Sequence, residues 1–194
     1  GTQDSDWSKF GLNEQELAFV TKELANEQTS ISVNQYTRTV FIECFKDQKT
    51  ESNSLERARE RGASLAIKCN ALKFAEVELI SASDSDLSLF VAEGMALANY
   101  QFLKYFSDSV KKQNSLKTIF VKAEDEAIQD LNALVDGTLR ARDLVNEPLS
   151  FLTAIQFSKE MEKLGKDAGF KVEVLHKKQI ESLKMGGLLA VNRG

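Results

Sequence analysis

The sequence predicts an α/β fold, a layered sheet flanked by helices, followed by an incomplete second α/β domain. Short β-branched and aromatic runs alternate with longer segments whose apolar residues recur at helical spacing. These helices are long enough to cross a sheet and return, which favours a mostly parallel or mixed sheet. The only proline, Pro148, marks a boundary. The segments after it are too few to close a core of their own.

The first elements are predicted to be a helix and a strand pair. Residues 12–24 carry apolar positions at helical spacing, and Asn13 is suited to cap that helix. The runs 31–33 and 39–45 are rich in β-branched and aromatic residues and predict a hairpin-like pair. The second run is apolar enough for an interior strand.

Two further helices are predicted on either side of a short strand at 77–80. The first begins at Ser54 and runs through Leu72, with Gly62 in its middle. Glycine there costs about 1 kcal/mol relative to alanine, which predicts close packing of another element over it. Residues 83–86 are start signals for the second helix, which is expected to end near Ser107.

A strand at 116–122 and a long helix at 124–145 complete the first part of the chain. The predicted organisation is therefore an amino-terminal α/β domain over residues 1–123, a linker helix over 124–147 and the start of a second domain over 148–194.

The second domain is predicted to open with a helix. Thr153 and Gln156 have the spacing of a capping box, and the helix should stop near Gly165 or Gly169. A strand over 170–174, a short helix over 178–185 and a last strand over 188–191 are expected to follow, in chain order.

Composition excludes several function classes. A formal net charge of -4 disfavours nucleic acid as the main partner. There is no run of about 18 apolar residues for a membrane span and no signal-peptide pattern, although Gly1 and the polar residues after it resemble a trimmed start. Cys44 and Cys69 are interpreted as buried free thiols, which suits a reducing compartment, the cytoplasm.

Residues with catalytic potential have structural interpretations that are favoured. The side chains of the acidic run 124–126 would point in different directions on a helix, and their charges suit the amino-terminal end of the helix dipole. Asp84 and Asp86 are likewise interpreted as cap residues. His176 is the only histidine, which removes His-pair metal motifs, and it is interpreted as a surface residue at a strand end. Gly186 and Gly187 are interpreted as a tight turn.

Two other features leave alternatives open. Arg140 and Arg142 face an anionic partner or pair with nearby carboxylates, and the latter is favoured. The aromatic residues at the predicted helix end are expected in core or interface packing rather than as a platform for bases; they are Tyr100, Phe102, Tyr105 and Phe106.

Residues 141–148, Ala-Arg-Asp-Leu-Val-Asn-Glu-Pro, closely resemble the linker of the leucyl (cytosol) aminopeptidase family. The segments 170–175, 180–185 and 185–191 resemble the opening of that family's catalytic domain, in the same order and spacing. The resemblance is specific over 136–194 and only architectural upstream. Asn192 and Arg193 are a mild departure from the family's pattern.

The resemblance implies a macro-domain-like amino-terminal domain and a parent enzyme that hydrolyses amino-terminal residues from peptides. It also implies two divalent metal ions, zinc or manganese, and a homohexamer. The family's metal-binding and catalytic residues lie beyond the matched segment, so no catalytic, metal or cofactor-binding residue is assigned here. The chain is expected to be an inactive amino-terminal fragment with a structural or oligomerisation role.

The alternative is a macro-like module that binds a nucleotide or ADP-ribose. It predicts a glycine-rich loop near a strand end, whereas Gly11, Gly62, Gly94 and Gly137 are scattered through predicted helices or their ends.

Overall fold

The computed structural model describes residues 10–45, 50–81 and 87–191. The chain divides into a first unit, Gly1–Arg142, and a second unit, Asp143–Gly194. The described elements are α/β in character, as predicted. In chain order they are α1 (Glu14–Ala25), β1 (Ser30–Asn34), β2 (Thr39–Glu43), α2 (Glu51–Ala71), β3 (Glu76–Leu79), α3 (Ser88–Ala98), α4 (Ser109–Lys112), β4 (Thr118–Val121), α5 (Asp125–Asn146), α6 (Ala154–Ala168), α7 (Lys177–Ser182) and α8 (Gly186–Val191).

Helix α1 begins at the predicted cap. The Asn13 side chain accepts a hydrogen bond from the Glu16 amide at 2.9 Å, and the Glu16 carboxylate accepts one from the Asn13 amide at 2.8 Å. This capping box satisfies two amides that have no partner within the helix. Strands β1 and β2 form the predicted antiparallel hairpin. They pack with α1 around a small core of Val20, Ile31, Val33 and Ile42.

Helices α2 and α3 cross at two glycines. A Cβ added at Gly62 would overlap the Val91 carbonyl oxygen, and one added at Gly94 would overlap the Arg59 carbonyl oxygen. The prediction that another element packs over Gly62 is therefore confirmed. Helix α2 starts before the predicted Ser54, because the Thr50 hydroxyl caps it by accepting from the Asn53 amide at 3.3 Å.

Helix α3 ends at Ala98, well before the predicted Ser107. The Asn99 side chain explains the early end, since its amide donates to the Leu116 carbonyl at 2.9 Å. Its carbonyl accepts from the Asn70 side chain at 2.9 Å, which draws the chain away from the helix axis. The predicted start signals at 83–86, including Asp84 and Asp86, lie outside the described residues.

Strands β3 and β4 pair in parallel. The predicted layered sheet is only partly observed, because the described strands form this pair and the separate β1–β2 hairpin. The main core lies between β3–β4 and the two crossing helices. Its buried residues are Ala58, Leu65, Ala66, Cys69, Val91, Met95 and Leu116.

Helix α6 is the first helix that lies wholly within the second unit, and Thr153 caps it as predicted. The predicted capping box is only half formed, because the Gln156 side chain donates to Glu160 instead of turning back to the cap. The Thr153 hydroxyl accepts from the Gln156 amide at 3.3 Å, and Gly169 ends the helix in the left-handed conformation at φ 78°. No strand forms within residues 143–191, so the strand predicted at 170–174 is wrong. Alternating apolar residues do not form a strand unless a neighbouring strand pairs with them. Val172 instead packs on Gly165 of α6.

The last predicted strand, 188–191, is also wrong, because these residues belong to helix α8. Leucine and alanine are good helix formers. A run of four apolar residues is too short for its periodicity to distinguish a strand from a helix. The second unit is therefore helical over its described residues, rather than the incomplete α/β domain that the sequence predicts.

Candidate functional site

The acidic run 124–126 lies at the start of α5. Asp125 and Glu126 occupy the first helical turn and are exposed. Carboxylates there interact favourably with the helix dipole. Nowhere in the described ranges do three histidine, cysteine, aspartate or glutamate side chains come together as metal ligands. The described residues therefore do not fit a centre for two metal ions, which needs several converging carboxylates.

His176 has a role at a helix terminus. It is exposed and immediately precedes α7. Its backbone amide donates to the Gln179 side-chain carbonyl at 2.8 Å. The predicted position at a strand end is wrong, since no strand forms there, but the residue is on the surface as expected.

Gly186 and Gly187 belong to a helix rather than to a phosphate-binding loop. Gly186 and Gly187 open α8, and the turn before them is made by Lys184 at φ 56°. The interpretation of Gly186 and Gly187 as a tight turn is therefore wrong, because both residues are helical. In the first unit, Gly62 and Gly94 lie inside helices at the α2–α3 crossing, where the approach of backbone explains them.

One buried carboxylate, Glu43, connects the hairpin to α2 through two cations, and sequence reasoning missed this group. The Glu43 side chain is 8% exposed and lies 3.1 Å from the Lys68 ammonium and 3.5 Å from the Arg61 guanidinium. It also accepts from the Ser30 hydroxyl at 2.6 Å. The positive charges of Arg61 and Lys68 compensate the energetic cost of burying the Glu43 carboxylate. We call Ser30, Glu43, Arg61 and Lys68 the Glu43 cluster.

Neither cysteine is arranged as a nucleophile. Cys69 is buried and Cys44 is half-buried, and both are free thiols. Burial raises the pKa of each thiol above its ordinary value, so both are protonated at neutral pH. A protonated thiol is a poor nucleophile and a poor metal ligand. The prediction of free thiols is confirmed, and burial is complete only for Cys69.

The two arginines near the end of α5 have different surroundings. Arg140 pairs with Asp136 at 2.7 Å on an exposed face, as predicted. Arg142 donates through Nη1 to the Leu97 carbonyl oxygen at 2.6 Å, and its guanidinium lies 5.6 Å from the centre of the Tyr100 ring. Sequence reasoning missed this contact, because Leu97 is far from Arg142 along the chain.

The remaining aromatic residues lie in the segment after α3 rather than in the helix. The Phe102 and Tyr105 rings are 5.8 Å apart and tilted. The Lys112 ammonium lies 4.1 Å from the centre of the Phe106 ring. Phe102 and Tyr105 thus pack against each other, whereas Tyr105 and Phe106 remain exposed rather than in the core.

Comparison with known proteins gives a consistent result. Residues 139–194 match the model of the cytosol aminopeptidase family, catalytic domain. A probable cytosol aminopeptidase of Clostridium perfringens is 35% identical over 133 residues, which cover 63% of this chain and 26% of that protein. One of Sulfurihydrogenibium is 34% identical over 167 residues, which cover 77% of this chain and 31% of that protein.

Solved structures share the fold. A tomato leucine aminopeptidase mutant has a TM-score of 0.71 at 15% identity and covers 88% of this chain and 37% of its own. The bottromycin maturation enzyme BotP has a TM-score of 0.71 at 22% identity and covers 91% of this chain and 40% of its own. At these identities the likeness concerns the fold alone.

The fold and the matched segment define a peptidase-related α/β protein. The chain belongs to the cytosol aminopeptidase family. It spans about a quarter to a third of the length of the curated relatives above. None of the helices in the described ranges combines the length and apolar composition that crossing a bilayer requires.

Proposed function

We propose that this chain is the amino-terminal part of a metal-dependent leucyl aminopeptidase that removes amino-terminal residues from peptides. One observation carries the proposal: residues 139–194 match the catalytic domain of the cytosol aminopeptidase family. In this proposal residues 1–123 are a macro-domain-like amino-terminal domain, 124–147 a linker helix, and 148–194 the opening of the catalytic domain.

The metal ions and the catalytic residues then belong to the part of the relatives that this chain does not span. Two zinc or manganese ions would polarise the peptide carbonyl and activate a water molecule in the whole enzyme. A related structure of BotP is in complex with Mn, which supports manganese as one candidate. No step of that chemistry is assigned to the residues of this chain.

The residues present here are proposed to serve structure and subunit assembly, in a homohexamer acting in the cytoplasm. The name of the relatives, cytosol aminopeptidase, supports the location. In the second unit, Leu149 is 85% exposed and Ile155 is 71% exposed, which supports burial of these side chains against the rest of the catalytic domain in the whole enzyme.

A peptidase assay tests this proposal. The chain is incubated with a chromogenic leucine anilide and manganese or zinc, beside a full-length relative that is active under the same conditions. We expect no hydrolysis above the level of the heat-denatured chain. Metal-dependent turnover by the chain alone would contradict the assignment of the catalytic residues elsewhere.

A chimera tests the structural role. This chain replaces the matching portion of the Sulfurihydrogenibium relative, and both activity and sedimentation are measured. We expect a hexamer with metal-dependent leucine release. A folded chimera that remains monomeric would contradict the proposed role in assembly.

A further inference from the structure

Arg142 is the last residue of the first unit, and it contacts the end of another helix. Its Nη1 donates to the Leu97 carbonyl oxygen at 2.6 Å. Leu97 lies in the last turn of α3, where carbonyl groups have no partner within the helix and carry partial negative charge. The last turn of α3 contains no basic residue of its own. Arg142 therefore supplies from α5 the cation that this helix end lacks.

The Tyr100 ring forms a second side of the same contact. Its centre is 5.6 Å from the Arg142 guanidinium, within the range of a cation–π interaction. A planar guanidinium can donate to a carbonyl and lie against an aromatic face at the same time, which a lysine ammonium does less well. We call Leu97, Tyr100 and Arg142 the Arg142 contact.

Helix α5 has little apolar burial to hold it in place. None of its residues is buried. A stripe of half-buried side chains runs along one face; it consists of Ile128, Leu131, Val135, Leu139 and Arg142. Further toward the end of the helix, Val145 is 85% exposed. A charge-assisted hydrogen bond at the end of such a stripe contributes more to local order than it would in a well-packed helix.

We propose that Arg142 is a positioning residue, whose contact with Leu97 and Tyr100 fixes the last turns of α5 where the chain leaves the first unit. In the longer enzyme, and here the inference rests on the proposed function, these turns lead into the segment that matches the catalytic domain. The contact lies within the first unit, so it can be tested in this chain without peptidase activity.

Hydrogen exchange of the R142A variant tests the proposal. The matched control is R140A, which removes an arginine of the same helix that makes an exposed pair with Asp136. In R142A we expect amides over 139–146 to exchange about tenfold faster or more, as for loss of a hydrogen bond to a charged group. Amides of α2 and of β3–β4 should keep their rates, and R140A should change little. Equal effects of the two variants would overturn the proposal, as would uniform acceleration of every amide.

Two further variants keep the test decisive if R142A folds poorly. R142K retains the charge but not the planar fork, so we expect it to recover part of the protection. Y100L should accelerate the same amides less than R142A, and the double variant should be no faster than R142A. Fully additive effects would show that ring and guanidinium act independently and would overturn the joint contact.

Turnover of leucine anilide by the chain would contradict the proposed function and leave these exchange results unaffected.

Discussion

Gly62 and Gly94 permit the two central helices of the first unit to touch backbone to backbone. A Cβ at either position would overlap a carbonyl oxygen of the opposite helix. Because backbone cannot rotate away as a flexible side chain can, any added side chain must separate the helices. The main core, which includes Met95 and Leu116, lies at this crossing.

Gly62→Ala is expected to destabilise the first unit by about 1–3 kcal/mol, through overpacking at the crossing. The matched control is Gly137→Ala in α5, where nothing lies within 4 Å of the added Cβ. That substitution should stabilise the helix by about 0.5–1 kcal/mol. Urea unfolding followed by circular dichroism measures both. A neutral Gly62→Ala variant would contradict the close crossing.

Glu43→Gln is expected to destabilise the first unit by about 1–3 kcal/mol. The substitution keeps the shape of a side chain that is 8% exposed but leaves Arg61 and Lys68 without their carboxylate. As a control, Glu60→Gln removes an exposed partner of Arg57 and should change stability by less than about 0.5 kcal/mol. Equal losses for the two variants in urea unfolding would show that the Glu43 cluster contributes no more than a surface pair.

The two thiols are expected to differ in reactivity. Cys69 is 1% exposed and should be alkylated by iodoacetamide roughly tenfold more slowly than the half-buried Cys44 at neutral pH. Mass spectrometry of the native chain over time measures each site separately. Faster labelling of Cys69 than of Cys44 would show that the main core opens more readily than the hairpin.

The pH dependence of stability follows from the same thiols. Burial raises the pKa of Cys69 above its ordinary value of 9.0, so the folded chain favours the protonated thiol. This contribution to the free energy of unfolding is fully present below pH 9.0 and is lost as the pH rises through the raised pKa. Unfolding in urea from pH 8 to 10.5 should therefore show a decline that is shallower in a Cys69→Ala variant.

Gly169→Ala tests the end of α6 in the second unit. Gly169 has φ 78°, where an alanine costs about 1–2 kcal/mol. Gly187→Ala is the control, because nothing lies within 4 Å of its added Cβ and its φ is not positive. Hydrogen exchange over residues 154–168 should accelerate in the first variant only. Unchanged exchange in both would contradict the left-handed cap.

Local features were predictable from sequence, because the residues that determine them are close together. Asn13 and Glu16 make the first capping box within four positions, and Gly62 alone predicted a close crossing. The end of α3 was not predictable, since Asn99 is held by Leu116, which is distant along the chain. The same holds for the Glu43 cluster.

The two strands predicted in the second unit failed for a different reason. A strand needs a neighbour, and alternation of apolar residues over 170–174 says nothing of whether one is within reach. Most residues with catalytic potential were predicted from the sequence to have structural roles. Arg140 and the acidic start of α5 fit that expectation, whereas the partner of Arg142 required the folded chain.

Only Gly165 is buried within residues 143–191, whereas the described residues of the first unit form two clusters of buried side chains. The second unit should therefore absorb heat over a broader range and at a lower temperature than the first. A single midpoint fitted to a calorimetric trace would average the enthalpies of two different transitions. Each variant should accordingly be assigned to the transition of its own unit.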